Sequence, residues 1–307
     1  EQATLKRLVS RRLLLDLMDD RREAYQACSD FIADHPTSRY LPCVLFLQAR
    51  ALDTRLDERT LLGESAQREL YTDFPHVQAE PIWTSLLTEY PDSPLAIAAR
   101  SRVALLRLRR GDADGALAAL APSPPKPAAP VVQSQPSRRL LLRTRPPEAT
   151  RGYEADEDLF EAQQLGELIL ANRDDPRYGL EPLRALVSLD PHRTGYAEQL
   201  LRLAQQYPGS LAYDNVIVRW AAAMSDRVQR AARLRACLER FPSGDAVPEV
   251  LFALADLEIQ SLGAGDEARR AAGVSRLREL VARFPHSCWA PRAAERLKML
   301  GPRPEPD

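Results

Sequence analysis

The residues from which this 307-residue chain could assemble chemistry are four histidines, four cysteines and the adjacent aspartates Asp19-Asp20 and Asp174-Asp175. A general base or zinc ligand must converge with partners, yet His35, His76 and His286 each adjoin a proline of a recurring turn, and His192 follows Pro191. All four read as turn residues. The aspartate pairs precede expected helix starts, where capping of free backbone N–H groups accounts for them. The chain carries no H-E-x-x-H, G-x-S-x-G, phosphate-binding loop, G-x-G-x-x-G or calcium-loop spacing. Cys28, Cys43, Cys237 and Cys288 form no C-x-x-C pair, so neither zinc nor thioredoxin-like chemistry is implied. They read as small apolar fillers. The alternative pairs Cys28 with Cys43 and Cys237 with Cys288 across adjacent helices, which would require an oxidising compartment. The expectation is a protein without catalytic residues, cofactor or metal.

Composition narrows the classes further. Lys+Arg 42 against Asp+Glu 43 leaves a formal charge of −1, so there is no excess of cations to follow a phosphate backbone. Nucleic acid is excluded as the expected main partner, and no small-molecule substrate is implied. Glycine is sparse at 13 and proline abundant at 25, which disfavours a glycine-rich nucleotide-binding sheet and favours short, punctuated helices. No apolar run approaches the ~18–20 residues that cross a bilayer. The chain opens on Glu1 rather than Met, so the expectation is that any start segment or signal peptide is removed or omitted.

The elements show themselves through repetition. An apolar helical stretch ends in an aromatic residue or His, then Pro, then usually Ser. It reads FIADHPTS at 31–38, LYTDFPHV at 70–77, LLTEYPDS at 86–93, LAQQYPGS at 203–210, LERFPSG at 238–244 and LVARFPHS at 280–287. The anchors are Pro36, Pro75, Tyr90, Pro91, Tyr207, Pro208, Phe241, Pro242, Phe284 and Pro285. Proline disfavours helix in the residue before it, and Ser just beyond caps the next helix. The aromatic is expected to wedge successive helices apart. The intervals from Pro208 to Pro242, Pro36 to Pro75 and Pro242 to Pro285 increase in that order and all fall in the range of helix-pair repeats, roughly 34–47 residues. The longest interval holds GAGDEARRAAG, an enlarged turn or extended second helix. Apolar residues recur at three and four positions in Val216, Ile217, Trp220 and Met224, and in Leu251, Leu254, Ala255 and Leu257.

These features resemble the tetratricopeptide-like family, specifically its envelope-associated subclass with Tyr-Pro-x-Ser turns. The best match is YPDSPLAIAARSRVALLRLRRGDADGAL at 90–117, where Tyr90-Pro91 closes a helix, Ser93 caps, Ala98 and Ala99 pack, and Gly111-Asp112 turns. The resemblance covers about two thirds of the chain. Elsewhere Ser225-Asp226 or Asp19-Asp20 replaces the Gly-Asp turn. It implies an all-α solenoid of antiparallel helix pairs that binds other protein subunits, of the kind found in outer-membrane assembly and cell-division coordination.

Two departures limit this reading. Pro75 and Pro91 stand too close together for a helix pair and leave room for one helix, around Ile82, Leu86 and Leu87. The segment 121–151 carries eight prolines and reads as a linker of polyproline character between arms at 1–120 and 152–300, with 301–307 as a tail. Within it RRLLLRTR at 138–145 offers Arg139, Leu141 and Arg143 as a docking peptide; with Lys126 and against Glu148 its arginines leave a charge of +4. EADED at 154–158 is expected to open the next helix.

Two relatives in kind set the alternatives. The solenoid arm of soluble lytic transglycosylases has similar turns, but the Glu-Ser-x-Phe motif of their catalytic domain is absent here. Cytosolic co-chaperones grip a carboxylate with Lys and Asn. With three lysines and two asparagines, Asn172 and Asn215, this chain lacks that clamp. The expectation is therefore a non-catalytic scaffold, periplasmic or outer-membrane-associated, with the non-catalytic solenoid arm of a peptidoglycan-processing enzyme as the rival and a cytoplasmic adaptor as a third class. Aromatics and arginines off the core face are the candidate partner contacts: Trp83, Tyr213, Arg219 and Trp220.

Overall fold

The computed structural model describes residues 19–52, 79–121, 148–189, 195–260 and 267–300. All secondary structure among them is helical, in thirteen helices with no strand. They are α1 (Asp19–Asp34), α2 (Leu41–Leu52), α3 (Ala79–Glu89), α4 (Ala96–Arg109), α5 (Ala113–Leu120), α6 (Glu148–Asn172), α7 (Glu181–Ser188), α8 (Tyr196–Gln206), α9 (Tyr213–Ala222), α10 (Arg227–Arg240), α11 (Val247–Gln260), α12 (Glu267–Arg283) and α13 (Trp289–Leu300). No helix among the described residues is long and apolar enough to cross a membrane.

The chain forms two compact units. The N-terminal unit is drawn from Glu1–Arg107 and Asp114–Ala162, the C-terminal unit from Leu108–Ala113 and Gln163–Asp307. In the N-terminal unit α1 packs on α2 and α2 on α3. Trp83, Leu86, Ala99 and Val103 are buried in one cluster with Ala49 and Leu52. Each large side chain so buried contributes roughly 1.5–3 kcal/mol. Tyr90 packs against this cluster and against the neighbouring one around Phe31 and Val44, so it is the expected wedge.

In the C-terminal unit each helix from α8 to α12 packs on its successor, with α7 on α8. Short turns between packed neighbours make the run antiparallel. Its core passes from Leu200, Leu203 and Val216 through Val218, Leu234 and Leu254 to Leu251, Leu277 and Ala293.

The proline turn is built the same way five times. The aromatic or His N–H closes the preceding helix, as in Tyr207 to Leu203 O at 3.0 Å. Three residues on, Ser38, Ser93, Ser210, Gly244 and Ser287 each donate their N–H to that residue's carbonyl at 3.0–3.2 Å. The N–H three residues further returns to the carbonyl of Ser or Gly at 2.9–3.3 Å. Pro36, Pro91, Pro208, Pro242 and Pro285 each sit at the second position, where a fixed φ helps and no N–H is needed. Gly111 turns between α4 and α5 with φ +90°, the left-handed region where glycine is favoured.

Several expectations are corrected. Residues 148–151 of the expected linker, ahead of EADED, are already part of α6. α9 ends at Ala222 and leaves Met224 in the turn. The reason is that Asp226 caps α10, accepting from Val228 N at 2.8 Å and from Gln229 N at 3.2 Å. Asp19 and Asp20 lie within α1 rather than ahead of it. Cys28, Cys237 and Cys288 are buried thiols, as fillers are, whereas Cys43 is exposed, and neither alternative disulfide is formed. From Glu267 the GAGDEARRAAG stretch is helix, an extension of the second helix of its pair. Pro75, His76, His192, Arg139, Leu141 and Arg143 lie outside the described residues.

Candidate contact site in the C-terminal unit

The second half of α6 runs along the proline turns of the C-terminal unit and hydrogen-bonds two of them. Glu167 accepts from Cys288 N at 2.6 Å and from Ser287 Oγ at 3.2 Å, at the start of α13. Gln164 donates to Glu249 Oε2 at 3.2 Å. Asn172 donates to Asp245 Oδ2 at 3.0 Å, just before α11. Past the helix end, Asp175 accepts from Leu211 N at 2.6 Å, just before α9. Two helix N-termini, those of α13 and α9, thus receive an acceptor from one segment, while Asn172 holds the carboxyl beside a third. The free N–H groups of a first helical turn make such acceptors stabilising.

Asp174-Asp175 was expected to cap a following helix. Asp175 instead holds its own turn through Arg177 N and Tyr178 N, both at 2.9 Å, and reaches across to Leu211. Burial alone would raise its pKa. The three N–H donors and the Arg177 charge outweigh burial and hold the carboxyl below the usual range.

The middle turn differs from its neighbours. At Ser38, Ser93 and Ser287 the hydroxyl accepts from the N–H two residues on, at 3.1–3.3 Å. Gly244 takes that place in the Phe241–Val247 turn, and a Cβ there would stand 2.0 Å from Asp214 Oδ2. The carboxylate of Asp214 fills the space and takes over the cap, accepting from Ala246 N at 3.3 Å and from Asn215 N at 2.9 Å. Asn215 Nδ2 donates to Asp214 Oδ1 at 3.2 Å and to Asp245 Oδ1 and Oδ2 at 3.1 and 3.0 Å. Asp245, exposed as a residue, turns its carboxyl inward onto two buried amides, and the two carboxyls meet on one nitrogen, Asn215 Nδ2. Burial and then the charge of Asp245 push Asp214 up to about 7; burial likewise raises Asp245.

Above this pair lies an open cleft of ≈ 560 Å³ lined by Leu211, Asp214, Arg240, Phe241, Pro242 and Asp245 among others. Tyr213 stands beside it, its ring 5.7 Å from that of Phe241, with the Arg240 guanidinium 5.1 Å from each ring. Trp220 is half-buried, with Arg233 stacked over its ring at 4.2 Å. Half-buried Arg219 directs its charge at Glu249, whose carboxyl is raised by burial. Three of the expected contacts, Tyr213, Arg219 and Trp220, therefore share α9. Trp83 does not belong with them: it is 1% exposed and edge-on to Phe46 at 5.1 Å, a core residue of the N-terminal unit. Spacing alone put it on a surface; in fact α3 turns that face onto α2.

The buried pair and its two amides were missed in the sequence. A signal existed: Asn172 and Asn215 are the chain's only asparagines, and both serve this cluster. The thiols offer no chemistry nearby, since burial pushes Cys28, Cys237 and Cys288 up to about 12, with Asp214 adding to the rise at Cys237 and Glu167 at Cys288. No group of three or more His, Cys, Asp or Glu among the described residues is placed to hold a metal ion. Comparison of the chain with protein-family models, curated proteins and solved structures finds no match in any of the three.

Proposed function

We propose that this chain is a non-catalytic protein–protein interaction scaffold of tetratricopeptide-like helix pairs, a structural or assembly subunit of a bacterial cell-envelope complex. One observation carries the reading: a single turn geometry, aromatic or His, Pro, x, then Ser or Gly, is repeated five times between packed helices. Helix pairs joined in this way cannot bury their apolar faces alone, and stacking leaves broad surfaces whose default use is binding. The Tyr-Pro-x-Ser form of the turn supports the envelope assignment. In the C-terminal unit the contact falls to the Tyr213, Arg240 and Phe241 cleft, whose residue types dominate interface energetics.

Cross-linked pull-down of the tagged protein from gently solubilised native cells, compared with its Y213A/R240A variant, tests this. Stoichiometric recovery of envelope subunits, lost or reduced at least tenfold in the variant, supports the reading; tenfold is about 1.4 kcal/mol, within reach of two interface anchors. Recovery of the protein alone, or release of fragments from peptidoglycan by the purified chain, overturns it.

A further inference from the structure

The cluster beneath the Phe241–Val247 turn joins three parts of the C-terminal unit: Asn172 from the end of α6, Asp214 and Asn215 from the start of α9, and Asp245 from the turn itself. Each asparagine has two amide hydrogens. Those of Asn172 go to Leu168 O at 2.9 Å and to Asp245, and those of Asn215 are divided between Asp214 and Asp245. Two carboxyls that meet on one amide nitrogen, one of them buried, disfavour carrying two negative charges, so one proton is held between them.

The charged groups around the pair do not replace that proton. From α10, Arg240 lines the cleft but its guanidinium lies over the Tyr213 and Phe241 rings. Cys237 on the same helix feels Asp214 only as a further cause of its raised pKa. From α11, Glu249 adds negative charge, and the Arg219 charge of α9 acts on Glu249. α6 contributes the neutral Asn172, and Asp175 beyond it is committed to Leu211. Among the described residues no arginine or lysine side chain hydrogen-bonds Asp214 or Asp245.

We propose that Asp214 and Asp245 hold one shared proton and that this proton is a latch. While it is held, the end of α6 stays fastened to the Phe241–Val247 turn. Once it is lost, the two charges part, Asp245 swings outward and the cleft opens. The proposal stands whether or not the cleft binds a partner.

The sign follows from proton counting. Asp214 is raised in the folded chain, so the fold binds a proton that the unfolded chain has released. Stability is full below the ordinary carboxylate range, falls as pH climbs toward about 7, and levels off above it. Amide exchange of Ala246 and Asn215, whose N–H groups both donate to Asp214, should lose protection by up to roughly tenfold per pH unit between pH 5 and 7, beyond intrinsic chemistry. In Asp214→Asn the loss should be shallower, since the neighbouring charge is gone while burial still raises Asp245. In Asp245→Asn it should be shallower, because burial remains after the neighbouring charge is gone.

Carbon-13 titration of the wild-type carboxyls needs no variant to fold. One aspartate of the pair titrating near neutrality is the expected result, and both titrating below pH 5 overturns the latch. Protection of Ala246 that is flat from pH 5 to 8, or an Asp214→Asn protein that keeps the wild-type slope, overturns it equally.

Discussion

The Tyr90–Ala96 turn of the N-terminal unit and the Phe241–Val247 turn of the C-terminal unit have the same backbone and different chemistry. In the first, Ser93 N donates to Tyr90 O at 3.0 Å, Ala96 N to Ser93 O at 2.9 Å, and the Ser93 hydroxyl accepts from Leu95 N at 3.3 Å. Everything the turn needs lies within the turn itself. In the second, the two backbone bonds recur at 3.1 and 3.3 Å, but Gly244 has no hydroxyl and Asp214, from the start of α9, supplies the acceptor. A self-capped turn depends on local sequence. A turn capped from afar depends on the packing that delivers its acceptor, and so it can be coupled to other parts of the fold.

Four substitutions break or sharpen this contrast. The largest loss is expected outside both turns: Trp83→Ala empties the core that seats Tyr90 and should cost about 3–5 kcal/mol in denaturant unfolding. A small effect there would mean that the local turn stands without its core. Gly244→Ser imposes the chemistry of the first turn on the second. Because its Cβ would meet Asp214 Oδ2 at 2.0 Å, it should destabilise by about 1–3 kcal/mol rather than improve the cap. A neutral or stabilising result in a thermal melt would show that Asp214 moves aside freely.

Asp175→Asn tests the other distant cap and its opposite pH sign. The Asp175 pKa is depressed, so its stabilisation is present at neutral pH and lost as pH falls through the folded value. The variant should be less stable by about 1–2 kcal/mol at pH 7 and should lose less on acidification. Equal acid slopes in the two proteins would contradict the assignment. Ser93→Ala should cost about 1 kcal/mol, and Ser93→Gly only a few tenths, by chemical denaturation. If glycine proved as costly as alanine, the hydroxyl would not be the cap that its geometry describes.

How much was legible in the sequence follows the same division. The turns at Pro36, Pro91, Pro208, Pro242 and Pro285 and the helix around Ile82, Leu86 and Leu87 were read from Pro, Ser and apolar spacing, which act over a few residues. The Gly111 turn was read in the same way. Trp83 was misplaced because the face of α3 that turns inward is chosen by α2. The carboxyl pair was missed because Asn172, Asp214 and Asp245 stand far apart in the chain, each within a different stretch of it, and meet only after α6, α9 and α11 have packed.

The sequence by itself determined an all-helical chain punctuated by one repeated turn, because proline geometry, capping and helical periodicity are local properties. The tertiary structure decided which carboxylate fills the space beside Gly244, which aromatics stayed half-exposed beside Arg240, and which two aspartates share a buried amide. These outcomes depend on desolvation and on distances between residues far apart in the chain, and neither exists until the helices have packed.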